Sequence, residues 1–415
     1  MMEQTELIPH LFRTEYRKIV AVLCRLFGID HIETAEDIVS DTFLRATELW
    51  GLKGLPPNPV AWLYTVAKNK TIDHLKRDNL FAQKISVEIK HSAAGADEID
   101  LSEKNINDSQ LAMMFAVCHP CINAESQIAL SLNLLCGFGA EEIADAFLTN
   151  KETIYKRLNR AKEKLRVEKV KIEAPTLAEI NDRMNTVLTT LYLLFSEGYY
   201  SASQNNTLRK ELCLEAMRLN YLLVENEITN KPAANALLSL MCFHSSRFEA
   251  RTNENGEIIL YQDQDTNLWN NELIQKGKYY LRQSSLNDAP LSKYHVEAAI
   301  AWWHTQKTDS IEKWEGILQL YNRLLQIEYS PIAALNRTFA LAKANGKEAA
   351  IIEAEKLDLD GNHLYHSLMG NLYDGIDRKK ALHHFQLSLD TARSAAEKVI
   401  IAKNIRRLKE SSTKT

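Results

Sequence analysis

Three groups of charged and polar side chains in the first 170 residues have spacing that suits chemistry. Glu36, Asp37, Asp41 and Glu48 fall along AEDIVSDTFLRA (Ala35–Ala46) and its continuation to Trp50. Carboxylates at the edge of an amphipathic helix suit docking on a basic partner helix. The stretch NPVAWLYTVAKNKTIDHLKR (Asn58–Arg77) follows. Helical spacing puts Asn69, Asp73 and Lys76 on one of its faces and Lys70, His74 and Arg77 on the next. Amide and basic groups on one helix face match base edges and phosphates. Trp62, beside a Gly/Pro loop, suits stacking on an unstacked base, but a Trp at the first turn of a helix with Leu63 and Val66 nearby is more often core.

The third group is Glu141–Arg166, which reads as two helices around a Leu148-Thr149-Asn150 turn. Ile143, Ala144, Phe147, Ile154 and Leu158 are spaced to close a small core, and Asn150 or Thr149 can cap the second helix. That arrangement leaves Lys151, Glu152, Thr153, Lys156, Arg157 and Arg160 on an exposed face, as in a DNA-reading helix-turn-helix. From Lys151 to Lys171 nine basic residues face three acidic ones, in a chain otherwise balanced at 50 basic against 54 acidic. Such a local stripe suits an anionic partner or a solvated surface.

Other motifs carry less. Cys118-His119-Pro-Cys121 has the spacing of half a zinc site, but no second pair follows at a suitable distance. Asp263-Gln-Asp265 has the chemistry to bind a cation in a loop, and turn chemistry explains it as well. No phosphate-binding glycine loop, nucleophile elbow or metalloprotease motif occurs. The expectation is therefore no catalytic residue, no metal and no cofactor. His363, His366, His383 and His384 read as helix surface.

The elements that position these groups are helical almost throughout, which predicts an all-α chain. Leu7, Phe12, Tyr16, Ile19, Val20, Leu23, Leu26 and Phe27 form one stripe ended by Gly28. A second helix is expected from near Thr34 to Trp50, burying Ile38, Phe43 and Leu44. The third starts at Pro59. At 415 residues two to four domains are expected. The expected boundaries are a first helical domain over 1–84, a polar linker over 85–108, a helix-turn-helix domain over 109–171 and a helical extension over 176–415. Within the extension, residues 248–269 contain a turn signal at Asn253–Gly256 that predicts one short β-hairpin. Near the end, SPIAALNRTFALAKANGKEAAIIEAEKL and HLYHSLMGNLYDGIDRKKALHHFQLSL repeat loosely, with Ala381 and Phe385 in the tetratricopeptide pattern. The six scattered cysteines suit reduced thiols, Met1–His10 has no signal-peptide pattern, and no apolar run reaches membrane length. A cytoplasmic protein with no membrane partner is the expectation.

Taken in order, these motifs resemble an extracytoplasmic-function (group IV) RNA polymerase sigma factor over roughly residues 5–170. AEDIVSDTFLRA resembles that family's polymerase-clamp-binding region, and NPVAWLYTVAKNKTIDHLKR its promoter-melting segment. Glu141–Arg166 resembles its upstream-element reader. LYLLFSEGYYSAS (Leu191–Ser203), LYQDQDTNLW (Leu260–Trp269) and YSPIAALNRTFALA (Tyr329–Ala342) resemble the subgroup with a long tetratricopeptide-like C-terminal extension. The resemblance implies core RNA polymerase and promoter DNA, duplex and melted, as partners. It implies polymerase binding by Glu36, Asp37 and Asp41. Downstream-element contacts would come from Trp62, Asn69, Lys70, Asp73, Lys76 and Arg77. Upstream contacts would come from Lys151, Glu152, Thr153, Lys156, Arg157 and Arg160. The Gly51–Pro59 loop has Leu52 and Leu55 where the family's base-capturing loop has an aromatic. The extension would regulate the factor through a partner protein or small ligand. Two other readings are a one-component helix-turn-helix regulator with a helical sensor, and an enzyme housed beyond residue 176 around Glu197–Tyr200 and Asp263–Trp269.

Overall fold

The computed structural model describes residues 4–77, 100, 102–147, 149–200, 206–251, 259, 261–286, 290–392 and 395–410. Among the described residues the chain is all-α, with eighteen helices and no strand. It forms two compact units, Met1–Thr229 and Asn230–Thr415.

In the first unit, α1 (Gln4–Phe27) buries Tyr16, Ile19, Val20, Leu23 and Phe27. Gly28, at φ 92°, stops it and donates its N–H to the Cys24 carbonyl at 2.8 Å. A single turn at Ile29–His31 leads into α2 (Ile32–Lys53). That helix begins two residues before the expected start and buries Ile38, Val39, Thr42, Phe43, Ala46 and Trp50. Leu44, expected in the core, is exposed. It lies more than half a turn around the helix from the Ile38–Thr42–Ala46 line. Helix α3 (Pro59–Arg77) is capped by Asn58 Oδ1, which accepts the Ala61 N–H at 3.0 Å, and it buries Leu63, Tyr64, Ala67 and Thr71.

Helix α4 (Glu103–Val117) starts at a Ser102 cap, so residues 103–108, expected as linker, are helix. Residues 85–99 and 101 of the expected linker, and 78–84 before it, lie outside the described residues. Helix α5 (Ala124–Leu130) runs on into wider π turns at Ser131–Leu135. Helix α6 (Ala140–Ala146) and α7 (Lys151–Val167) form the helix-turn-helix. Helices α8 (Leu177–Tyr200) and α9 (Asn206–Glu225) complete the unit. The boundary expected at 171–176 is thus displaced to 229/230. The reason is packing: α8 and α9 cover α4–α6, and Arg218 donates to Gln110 Oε1 and the Leu135 carbonyl, each at 3.1 Å.

The second unit is a chain of helices, each packed on its neighbours in sequence. Its members are α10 (Pro232–Ser245), α11 (Asn271–Gln283), α12 (Lys293–His304), α13 (Ile311–Ile327) and α14 (Pro331–Asn345). They continue as α15 (Lys347–Ala354), α16 (His363–Tyr373), α17 (Arg378–Thr391) and α18 (Ala395–Glu410). Where the β-hairpin was expected, Phe248–Ala250, Tyr261–Asp263 and Thr266–Leu268 are single 3-10 turns, and residues 252–258 and 260 lie outside the described residues. In the last repeat-like pair, the fully buried Phe385 ring of α17 lies against Gly370 of α16, and Ala381 is also fully buried. Burying such a ring contributes about 1.5–3 kcal/mol.

Candidate functional site

Helices α2 and α3, which carry the first two groups of expected site residues, are held by their own core. Tyr64 Oη of α3 donates to Glu15 Oε2 of α1 at 2.8 Å. Trp62 packs edge-on against buried Trp50 of α2, with centroids 5.3 Å apart, so this side of the tryptophan belongs to the α2–α3 contact. Asn69 and Asp73 of α3 are exposed, and Lys70 forms an ion pair with Asp41 of α2. The expected polymerase-binding acid and an expected promoter-binding cation are therefore partners. The side chains of Lys76 and Arg77 lie outside the described residues. Leu52, in the last turn of α2, and Leu55, in the loop that follows, are both exposed, and Gly54, at φ 81°, turns the chain out of α2.

The expected acids of α2 separate into two sets. Asp37 and Asp41 are exposed. Glu36 is not presented to solvent in the same way. Its Oε1 accepts from Arg17 Nη1 at 2.7 Å, and its Oε2 accepts from Lys162 Nζ at 3.1 Å. Burial pushes this carboxyl up, but Lys162 and Arg17 outweigh it and hold the group below the usual carboxylate range. Next to it on α2, Glu33 pairs with Arg166 of α7.

Helix α7 is the other half of the site. Asn150 caps it, accepting the Thr153 N–H at 2.8 Å, and Ile143, Ala144, Ile154 and Leu158 close the core expected of them. Lys156, Arg160 and Glu152 project to solvent. Lys151 reaches back to Glu141 of α6 at 3.2 Å, and that hydrogen-bonded carboxylate raises its pKa. Arg157 is half-buried, paired with Glu125 of α5 at 2.7 Å and set over the Phe147 ring at 6.0 Å. Of the cations expected to face DNA, Lys156 and Arg160 are exposed, Lys151 is exposed but paired with Glu141, and Arg157 is half-buried on Glu125.

Arg17, Glu33, Lys162 and Arg166 were not singled out from the sequence. A signal existed for Lys162: it shares the stripe of Leu158, Ala161 and Leu165, and it is 8% exposed. Nothing local marks Glu33 or Arg17. Near Cys118 the site is of another kind. The Cys118 thiol is buried and pushed up to about 11, chiefly by burial, and His119 Nδ1 accepts the Cys121 N–H at 3.2 Å. No group of three or more metal-ligating side chains occurs among the described residues. The two stretches weighed for an enzyme lie in different units, Glu197 in the first and Asp263–Trp269 in the second. No helix among the described residues is long and apolar enough to cross a membrane.

Comparison with known proteins places these elements. The family model of sigma-70 region 2 matches residues 11–80, which span α1 to α3. That match supports a sigma factor. A family of unknown function (DUF6596) matches residues 183–285, across the junction of the two units. An uncharacterized protein of Rhizobium meliloti (strain 1021), R00370, is 30% identical over 384 residues, covering 89% of each chain. No solved structure matches the chain.

Proposed function

We propose that this chain, which belongs to one family with the Rhizobium meliloti protein and carries a sigma-70 region 2, directs core RNA polymerase to specific promoters and starts transcription there. It is a non-catalytic subunit. The observation that carries the reading is the joining, in one chain, of region 2 to a capped helix-turn-helix whose second helix exposes Lys156 and Arg160. A one-component regulator needs only the second of these.

On this reading Glu36, together with the exposed Asp37 and Asp41 of α2, meets a basic surface of core polymerase. Asn69, Asp73 and the end of α3 face the melted downstream element. Helix α7 enters the major groove of the upstream element, with Lys156 and Arg160 reaching phosphates or base edges. The factor belongs to the extracytoplasmic-function class, and the tetratricopeptide-like helices beyond the helix-turn-helix regulate it. Run-off transcription tests the core of this reading: purified chain plus core polymerase is expected to give discrete, promoter-dependent transcripts from genomic templates. Their absence from every template, with core polymerase active on a control factor, would overturn it.

A further inference from the structure

The geometry points to an internal clasp in which two cations of α7 occupy acids of α2, so that core polymerase binds only after α7 lets go. The inference rests on the sigma-factor reading above and adds its regulation. Two pairs form the clasp, Lys162–Glu36 and Arg166–Glu33. They stand one helical turn apart on α7 and three residues apart on α2, so two matching ridges face each other. Lys162 is 8% exposed. The clasp is backed by Arg17, which holds the other Glu36 oxygen, and by Arg25 of α1, which donates to Asn105 of α4 at 3.2 Å.

The clasp engages the C-terminal half of α7, beyond the exposed Lys156 and Arg160. Lys156 and Arg160 remain open while Lys162 and Arg166 are bound. A closed molecule therefore keeps Lys156 and Arg160 open on α7, holds Glu36 half-buried and engages Glu33 at the edge of the contact. A basic docking surface on polymerase would compete for the same carboxylates with α7's own cations.

The closed state is also incompletely satisfied. Arg17 Nε and Arg166 Nε are buried without a hydrogen-bond partner. Buried guanidinium donors left unpaired oppose closure, and one partner of each pair stays partly in water. Such a contact suits a switch that yields to competition. Apparent affinity for core then falls by the fraction of molecules that are open.

The test uses the full chain. Lys162→Gln with Arg166→Gln removes the clasp cations and leaves every α2 acid in place. Binding to core polymerase, by fluorescence anisotropy, is expected to tighten at least tenfold over wild type, with binding to duplex promoter DNA changed less than threefold. A second arm closes the clasp covalently, with Glu33→Cys and Arg166→Cys joined by a reducible bis-maleimide. The joined form is expected to lose core binding and regain it on reduction. Equal core affinity for wild type and the double Gln variant, or full binding by the joined form, would refute the clasp while the transcription result still stood. If neither wild type nor variant binds core or supports a transcript, the sigma reading itself fails and the clasp with it.

Discussion

Arg157 Nη2 of α7 lies 2.7 Å from Glu125 Oε2 of α5, which makes the central cation of the candidate DNA-reading helix a structural one. The pair draws the guanidinium away from the solvent face that Lys156 and Arg160 occupy. The three cations, alike in sequence, should therefore behave differently on DNA. Each phosphate contact contributes about 0.9 to the slope of log affinity against log salt. Lys156→Ala and Arg160→Ala are each expected to lower that slope by about 1, measured by anisotropy on a duplex upstream element. Arg157→Ala should lower it by less than half as much and reduce thermal stability instead. Equal slopes for all three would contradict the division.

Glu36 and Glu33 differ in the same manner for stability. Glu36 sits between two cations that are themselves about nine-tenths buried, whereas Glu33 and Arg166 are partly solvated. Removing one member of a buried, paired set leaves charge stranded and costs about 3–5 kcal/mol, while an exposed pair is worth about 0–1 kcal/mol. Urea unfolding should show Glu36→Gln destabilising the first unit several-fold more than Glu33→Gln. Because the Glu36 carboxyl is held below its ordinary range, its contribution is present above about pH 4.5 and declines as pH falls through the lowered value. A Glu36→Gln variant that loses no stability at pH 7 would show that the triad is not coupled as its distances indicate.

The same residues show what the sequence disclosed. Periodicity is a local property, so the helices, the Asn150 cap and the core of Ile143, Ile154 and Leu158 were readable from one stretch of chain. The exposure of Asp37 was readable in that way too. Pairing is not local: Glu36 with Lys162 joins residues 126 apart in sequence, and Asp41 with Lys70 joins residues 29 apart. No window of helical spacing reports either. Leu44 was misplaced because an apolar residue on the outer edge of an amphipathic helix has the same composition as one on the inner edge. The displaced unit boundary has the same cause, since Val170–Pro175 looks like a linker and only the packing of α8 and α9 shows otherwise.

Polymerase docking should follow exposure on α2. Asp37 lies outside the clasp and faces solvent. Asp37→Arg is expected to weaken binding to core polymerase at least tenfold by pull-down titration, with duplex DNA binding unchanged. Like-charge juxtaposition at a docking face costs several kcal/mol. If core binding survives the reversal while DNA binding falls, α2 has been given the wrong partner.

The second unit should lose stability on mild acidification. His304 is pushed down to about 3, first by burial and then by Arg247 and Lys313, and His244 and His295 are also lowered, chiefly by burial. Unfolded chains take up these protons near pH 6.5, while the folded unit refuses them. Stability therefore falls as pH drops below about 6.5, by about 1.4 kcal/mol per pH unit for each such histidine, until the folded group titrates. Urea melts at pH 7 and pH 5 should show this loss, and His304→Gln should remove one histidine's share. A pH-independent melt would mean that these rings are solvated in solution.

Gly370 and Phe385 test the close packing of the last helix pair. A Cβ on Gly370 would stand 2.8 Å from Phe385 Cδ1, inside any normal contact, and Phe385 is fully buried. Alanine normally favours a helix by about 1 kcal/mol over glycine, so propensity alone predicts that Gly370→Ala stabilises α16. Crowding against a ring with no room to move works the other way, at about 1–3 kcal/mol. The second effect should prevail, and Gly370→Ala is expected to lower the stability of the second unit. The double variant with Phe385→Leu decides the cause. If the ring is what the new methyl meets, the two changes will be less harmful together than their sum by about 1 kcal/mol or more. Strict additivity would mean that the glycine is required by something other than Phe385.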